Sequence, residues 1–397
     1  MAFLLGAVAF VFALLVSVML HEAGHLIPAK RFGMKASQYF VGFGPTLWSW
    51  RRGETEYGIK AVLLGGFVKI VGYTPLEEID EADRPRAFYL QPARRRAVVI
   101  AGGVVMNFVI AFVLLIVLAM AIGVRDPGTA TTTVDEVSSC VPTSIAASCG
   151  HDRPQSPAAR AGLRVGDRVV VFNGTPVGDW SQLRKAIEGA RPGQSVTVVV
   201  DRSGTRVPLQ ITLASVGGET FLGMSAKVVG QGYDRKGLVG AAAFAVRGIG
   251  ETLRGIGQIA VDLPAAVPKL FSPDRAETPG GQVGSVVGAT EVSGQIFSSD
   301  NTTKDKIALY LSLVVSVNIF LGALNVLPLL PLDGGHLAVV AYERLRAWWA
   351  RRRGRPDPGT VDMTKLLPIT YLAVVLLIGL GVLLILADLV NPLKLPQ

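Results

Sequence analysis

The chain has 397 residues, 50% of them hydrophobic and 17% charged, with a mean hydropathy of +0.44; this is too apolar for an ordinary water-soluble protein. A formal net charge of +9 raises the question of nucleic acid, but the Lys and Arg residues lie beside long apolar runs. They read as topology signals and contacts with acidic lipid headgroups, and nucleic-acid binding is the weaker inference. The fold class expected is a polytopic α-helical membrane protein with four transmembrane helices, an inserted α+β domain and a β-rich loop.

The first span, 1–30, is apolar up to Leu20 and then carries His21-Glu22-Ala23-Gly24-His25. On a helix, residues at i and i+4 project from one face, so both imidazoles can bind one zinc ion, while Glu22 lies beside it where it can accept a proton from water. Ionisable residues inside a span are costly, which makes them functional by default; the bland alternative is that they end a helix at the interface. A cleaved signal peptide is rejected, because no basic segment precedes the apolar run.

Residues 31–96 follow as a loop rich in Lys and Arg, including Arg94-Arg95-Arg96, which assigns it to the cytoplasmic side. From Ser37 to Val71, aromatic and β-branched residues alternate with polar ones between glycines, which predicts short strands and turns. A spanning helix hides its amides in i to i+4 hydrogen bonds, so its cleavage requires something to unwind it. An exposed strand edge in this loop would do this by adding the substrate as a strand; an ordinary hairpin region is the alternative. The acidic cluster Glu77, Glu78, Asp80, Glu81 and Asp83 reads as a solvated linker.

The second span, 97–124, leads into an extracytoplasmic domain, 125–230. Ser156 to Val169 reads as a helix, a turn and a strand, and Phe172-Asn173-Gly174 as a hairpin turn. Trp180 to Gly189 gives a second helix, and Ser195 to Val200 with Arg206 to Leu213 the closing strands. Cys140 and Cys149, the chain's two cysteines, are either a loop-stiffening disulfide or incidental thiols. In 231–303, the segment Gly237 to Phe271 has the pattern of an amphipathic helix on the outer membrane surface; its Arg247, Arg254 and Asp262 argue against a fifth span.

The third span, 304–335, ends in Asn325-Val326-Leu327-Pro328-Leu329-Leu330-Pro331-Leu332-Asp333-Gly334-Gly335-His336. A catalytic zinc takes three protein ligands and keeps a fourth position for water, so one more ligand is needed beyond the His pair. Asp333 is the candidate, His336 a competitor, and a helix-capping role the structural alternative for Asp333. The prolines break the helix at a depth where freed backbone groups must line a cavity or be buried in protein. A basic cytoplasmic loop, 336–365, and a fourth span with its tail, 366–397, complete the chain, with both termini outside.

The pairing of this His-Glu-x-x-His with the Asn-x-x-Pro and Leu-Asp-Gly stretch resembles the site-2 protease family, intramembrane zinc metalloproteases. Within it, the bacterial subgroup with a periplasmic PDZ domain, which regulates sigma factors, is the most similar. Gly42-Phe43-Gly44 and Leu64-Gly65-Gly66-Phe67 look like the family's β loop. The 156–200 region resembles a PDZ domain, and Gly281 to Gly294 a glycine-rich segment that follows it. The resemblance implies zinc bound by His21, His25 and Asp333, Glu22 as general base, and Asn325 as a substrate-backbone contact. It implies an inner-membrane enzyme whose substrates are single-pass proteins such as an anti-sigma factor, trimmed first by an upstream site-1 protease. The rival from another class is a PDZ-bearing adaptor or chaperone with a structural, fully ligated metal; a metal transporter would need a polar line through several spans, which these lack.

Overall fold

A computed structural model describes the chain apart from residues 75–76, 143–148, 150–152, 273–274, 276–283 and 394–397, and apart from the side chains of 260, 262–266 and 269. His151 and the first residues of the Gly281 to Gly294 segment therefore lie outside the described residues. In chain order the elements are α1 (Ala2–Arg31), β1 (Ala36–Arg52), β2 (Thr55–Ile70) and α2 (Ala93–Val117), which continues as a π-helical turn over Leu118–Ile122. Next come β3 (Val124–Asp126), β4 (Thr129–Val137), α3 (Pro157–Arg160), β5 (Arg168–Phe172), β6 (Thr175–Pro176) and α4 (Trp180–Glu188). They are followed by β7 (Ser195–Arg202), β8 (Thr205–Thr212), β9 (Ala214–Val216), β10 (Glu219–Phe221), β11 (Met224–Val229) and β12 (Gly232–Asp234). The chain closes with α5 (Leu238–Ala266), α6 (Val286–Ser298), α7 (Thr303–Val326), α8 (Asp333–Arg352) and α9 (Leu367–Val390). Two compact units result, Met1–Gly123 with Arg235–Gln397, and Val124–Asp234.

In the first unit, α1, α2 with its π turn, α7, and α9 with the turn before it are long and apolar enough to cross a membrane, at 24 to 30 residues. Gly6, Phe10, Ser17 and Gly24 are buried along one stripe of α1, which widens at His25, Leu26 and Ala29. The upper part of that stripe meets α6, where Ser293 Oγ donates to Gly6 O at 2.8 Å; the lower part meets α2. The start of α6 is held by Asp388 of α9, whose Oδ2 accepts from Ser285 N at 2.6 Å and Gly288 N at 3.1 Å, while Oδ1 receives Arg275 at 2.6 Å. A carboxylate at a helix N-terminus satisfies donors that have no intrahelical acceptor. The predicted amphipathic segment forms α5, and its Ala245 packs with Ala111 and Leu115 of α2 and Ile319 of α7.

Two expectations need correction. The strands between the first two spans are not short: β1 and β2 have 17 and 16 residues, bent so that residues 38–41 pair with both 56–59 and 66–69. Gly42, Gly44, Gly58, Gly65 and Gly66 lie inside the strands, and only Gly53 and Gly72 fall at their ends. Nor does the third span run to 335 with a loop beyond. It stops at Val326, and the predicted basic loop is largely the 20-residue helix α8, which begins at Asp333. Its charge masked its periodicity, in which Val340, Glu343 and Ala347 form a buried face. On that face Glu343 Oε2 accepts from Arg96 at 2.6 Å, and Glu343 Oε1 accepts from Val361 N at 2.8 Å.

The second unit is built on a sheet ordered β11-β4-β5-β7-β8, with β6 beside β5. Alternate residues Val196, Val198 and Val200 of β7 point into a core with Phe172, Leu183 and Ile211. Asp179 caps α4 by accepting from Gln182 N at 2.8 Å, and the β5–β6 turn passes through Asn173 and Gly174, both at positive φ. Cys140 and Cys149 are joined as a disulfide. Buried Asp167 accepts from Arg202 Nε at 2.8 Å and from Arg164 N at 2.9 Å, and the guanidinium holds its carboxyl below the usual range.

Two predictions follow from these ion pairs. Truncating one partner of a buried pair strands the other, so Glu343→Ala lowers stability by about 3–5 kcal/mol, and the double change to Leu at 96 and 343 costs less, as read by thermal unfolding in detergent. Because the folded pKa of Asp167 is depressed, its contribution is present above the unfolded carboxylate pKa and fades as pH falls through the folded one. Asp167→Asn therefore destabilises the protein at pH 7, and the gap from wild type narrows in acid.

Candidate active site

The i, i+4 spacing on α1 brings the Nε2 atoms of His21 and His25 to 3.3 Å from each other. Asp333, the first residue of α8, places its Oδ2 at 3.3 Å from each of them. Zinc bonds of about 2.0–2.1 Å in tetrahedral geometry set donor atoms about 3.3 Å apart, so this triangle fits a zinc ion on three corners of a tetrahedron. Asp333 Oδ2 is buried and receives no hydrogen bond of acceptable geometry among the described residues, the environment of an atom that faces a cation. The same three residues form a group that can hold a metal ion.

Neighbouring helices fix the imidazoles. His25 Nδ1 lies 2.8 Å from Val99 O of α2, so the neutral ring carries its proton there and leaves the Nε2 lone pair open to a metal ion. That contact needs a close helix crossing. A Cβ on Gly24 would stand 2.3 Å from Gly102 O, one on Gly102 would stand 2.0 Å from Gly24 O, and one on Gly103 would stand 2.2 Å from His25 Nε2. These three glycines let α1 and α2 touch backbone to backbone at the level of the histidines.

α8 is brought in the same way. A Cβ on Gly334 would lie 2.3 Å from Val326 O, so the helix bearing Asp333 starts directly against the end of α7. Asn325 occupies that last turn of α7 and is half-buried. His336, the competing ligand, is absent from the donor group; its ring packs edge-on against Tyr73 at 5.0 Å and lines a cavity of about 30 Å³ with Arg96 and Glu343. Asp333 is the first residue of α8, not its cap, and the preceding Leu332 occupies the cap position.

Glu22 reaches the β loop, where its Oε2 accepts from Val68 N at 3.0 Å. Val68 follows Gly65, Gly66 and Phe67 on β2. A Cβ on Gly66 would meet Met19 Sδ of α1 at 2.6 Å, and Tyr39 Oη donates to Met19 O at 2.5 Å, so the strand is pinned to the helix just above Glu22. Phe67 stacks with Phe40 and Phe43, each at 5.9 Å. Sequence reasoning missed Val68, Val99 and the glycines of α2. The one available signal was Gly102-Gly103 within a span otherwise rich in Val, Ile and Phe.

Gly103→Val drives a side chain into the histidines and lowers zinc affinity on the order of 10- to 100-fold, measured as zinc retained against a chelator series. Val68→Pro deletes the donor to Glu22 without touching the triangle; zinc content stays at the wild-type level and kcat falls.

The profile of peptidase family M50 matches residues 9–355. The chain is 39% identical to "Zinc metalloprotease Rip1" of Mycobacterium tuberculosis over 414 aligned positions, covering 100% of both chains. It is 37% identical to "Zinc metalloprotease Rip1" of Mycolicibacterium smegmatis, again over 100% of both. A "Putative zinc metalloprotease" of a Nostoc species is 28% identical over 97% of this chain and 96% of its own. The chain belongs to peptidase family M50 and is a zinc-dependent metalloprotease of the site-2 type.

Proposed function

We propose that His21, His25 and Asp333 are the zinc ligands and Glu22 the general base of an endopeptidase that cuts single-pass membrane proteins within or beside their spanning helix. The observation that carries this reading is the triangle of three donors, 3.3 Å on each side, beside a carboxylate anchored to a strand edge. When bound, zinc would lower the pKa of a water molecule and polarise the scissile carbonyl. Glu22 takes the proton from that water and returns it to the departing amide nitrogen. Its hydrogen bond to Val68 N holds the carboxylate in place for both transfers.

The substrate must present an extended backbone, since a helix occupies its own amides. The segment Gly65-Gly66-Phe67-Val68 adjoins Glu22 and supports strand addition there, replacing helical hydrogen bonds with ladder bonds. Asn325, at the end of α7, is assigned to the substrate backbone. The Val124–Asp234 unit is read as a PDZ domain that admits substrates after a first ectodomain cleavage by a site-1 protease, with an anti-sigma factor as the substrate class. In this reading the enzyme sits in the inner membrane, with that domain on the extracytoplasmic side and the Arg94-Arg95-Arg96 end of α2 on the cytoplasmic side. The adaptor reading requires a closed set of four protein ligands, and the described metal-binding group has three.

Purified protein in detergent, offered an anti-sigma spanning segment with its ectodomain trimmed, is expected to yield product that a chelator abolishes. Glu22→Gln keeps zinc and loses turnover by roughly 10²- to 10⁴-fold, and Asp333→Ala loses zinc as well. Undiminished turnover in either variant removes that residue from the mechanism.

A further inference from the structure

We infer that the second half of α8 is a docking surface for acidic phospholipid headgroups, through which the lipid steadies the helix that carries Asp333. The inference rests on the membrane reading above and adds a ligand that the catalytic account does not use. α8 is one uninterrupted helix from Asp333 to Arg352, so a contact at its end bears on its first residue.

The depth of the helix comes from its partner. Glu343 meets Arg96, the last of the three arginines that open the apolar run of α2. Beyond Glu343, α8 is therefore at the level where a spanning helix leaves the hydrocarbon for the headgroups. There its surface is divided. Val340, Glu343 and Ala347 are buried against the protein, whereas Leu345, Trp348 and Trp349, with Tyr342 just before Glu343, are exposed on the opposite side. At 100° per residue these residues lie within one arc, and no element among the described residues covers it.

Arginines surround the arc. Arg344 and Arg351 fall on one flank and Arg353 on the other, and Arg352 lies among the aromatic residues; all four are exposed, as is Arg355 just beyond the helix. The guanidinium of Arg352 stacks on Trp348 at 4.0 Å and that of Arg353 on Trp349 at 4.9 Å. Stacking holds the cations beside the indoles and leaves their N–H groups free to point outward. An exposed apolar arc with Trp at its end, framed by arginines, is the pattern of a helix lying in an interface of anionic lipid. Arg binds phosphate oxygens through two parallel N–H groups, which favours a phosphodiester headgroup over a general negative potential.

The test reconstitutes the full protein in nanodiscs of phosphatidylcholine alone or with 30% phosphatidylglycerol and compares wild type with Arg351→Gln/Arg352→Gln/Arg353→Gln/Arg355→Gln. One readout is tryptophan quenching by brominated phosphatidylglycerol, with Trp348→Phe/Trp349→Phe identifying the signal of those two indoles. The other is the rate of segment cleavage. In the wild type, brominated phosphatidylglycerol is expected to quench these indoles more than brominated phosphatidylcholine does, and cleavage to rise several-fold with the acidic lipid. The quadruple variant should lose both responses and match the wild type in neutral lipid. Equal quenching by the two brominated lipids in the wild type overturns the inference. That readout needs no substrate, so it fails independently of the protease reading.

Discussion

The arrangement depends on a single close contact, the crossing of α1 and α2 at Gly24 and Gly102. Two helices with ordinary side chains at the crossing stand about 8–10 Å apart, a spacing that would draw Val99 O back from the His25 ring. Here each glycine occupies the space that a Cβ on the other would need, and His25 Nδ1 comes within 2.8 Å of Val99 O. That hydrogen bond selects the tautomer that offers Nε2, and Gly103 leaves room for both rings. Close packing of small residues and one directed hydrogen bond together orient the His25 ring.

Everything else in the site is assembled onto this pair of helices. α7 ends at Val326, and Gly334 lets α8 start against it, with Asp333 Oδ2 at 3.3 Å from each histidine Nε2. The Arg96–Glu343 pair clamps α8 onto α2 some turns further on. From the other direction the β loop is attached to α1 through Tyr39 and Gly66, which puts Val68 N on Glu22. The carboxylate proposed to move protons and the strand proposed to unwind the substrate are therefore one mechanical unit.

Much of the site was legible in the sequence because its information is local. His21 and His25 share a face by helical spacing alone, and a carboxylate directly after a proline-broken span draws attention wherever it occurs. What stayed hidden depends on pairing distant segments. Nothing in the spacing says that Val99 or Val68 will supply a backbone group, since any residue has one. The choice between Asp333 and His336 likewise turned on how α8 packs: His336, three residues along the helix from Asp333, faces Tyr73 and not the triangle. At the level of the fold, the apolar spans were read from length and hydropathy, whereas α8 was read as a loop because its arginines concealed a buried face of three residues. The two long strands were read as several short ones, because glycines in them permit bends that sequence alone reads as turns.

The central claim is that the metal is held by two imidazoles and one carboxylate, with a position left for water. Zinc K-edge X-ray absorption on the purified protein, with and without Asp333→Ala, tests it most directly. The account predicts two imidazole ligands, one carboxylate oxygen that disappears in the variant, and a remaining light-atom position that exchanges when a competing small ligand is added. Three imidazoles, or four protein ligands with no exchangeable position, would contradict it and point to a closed, structural site.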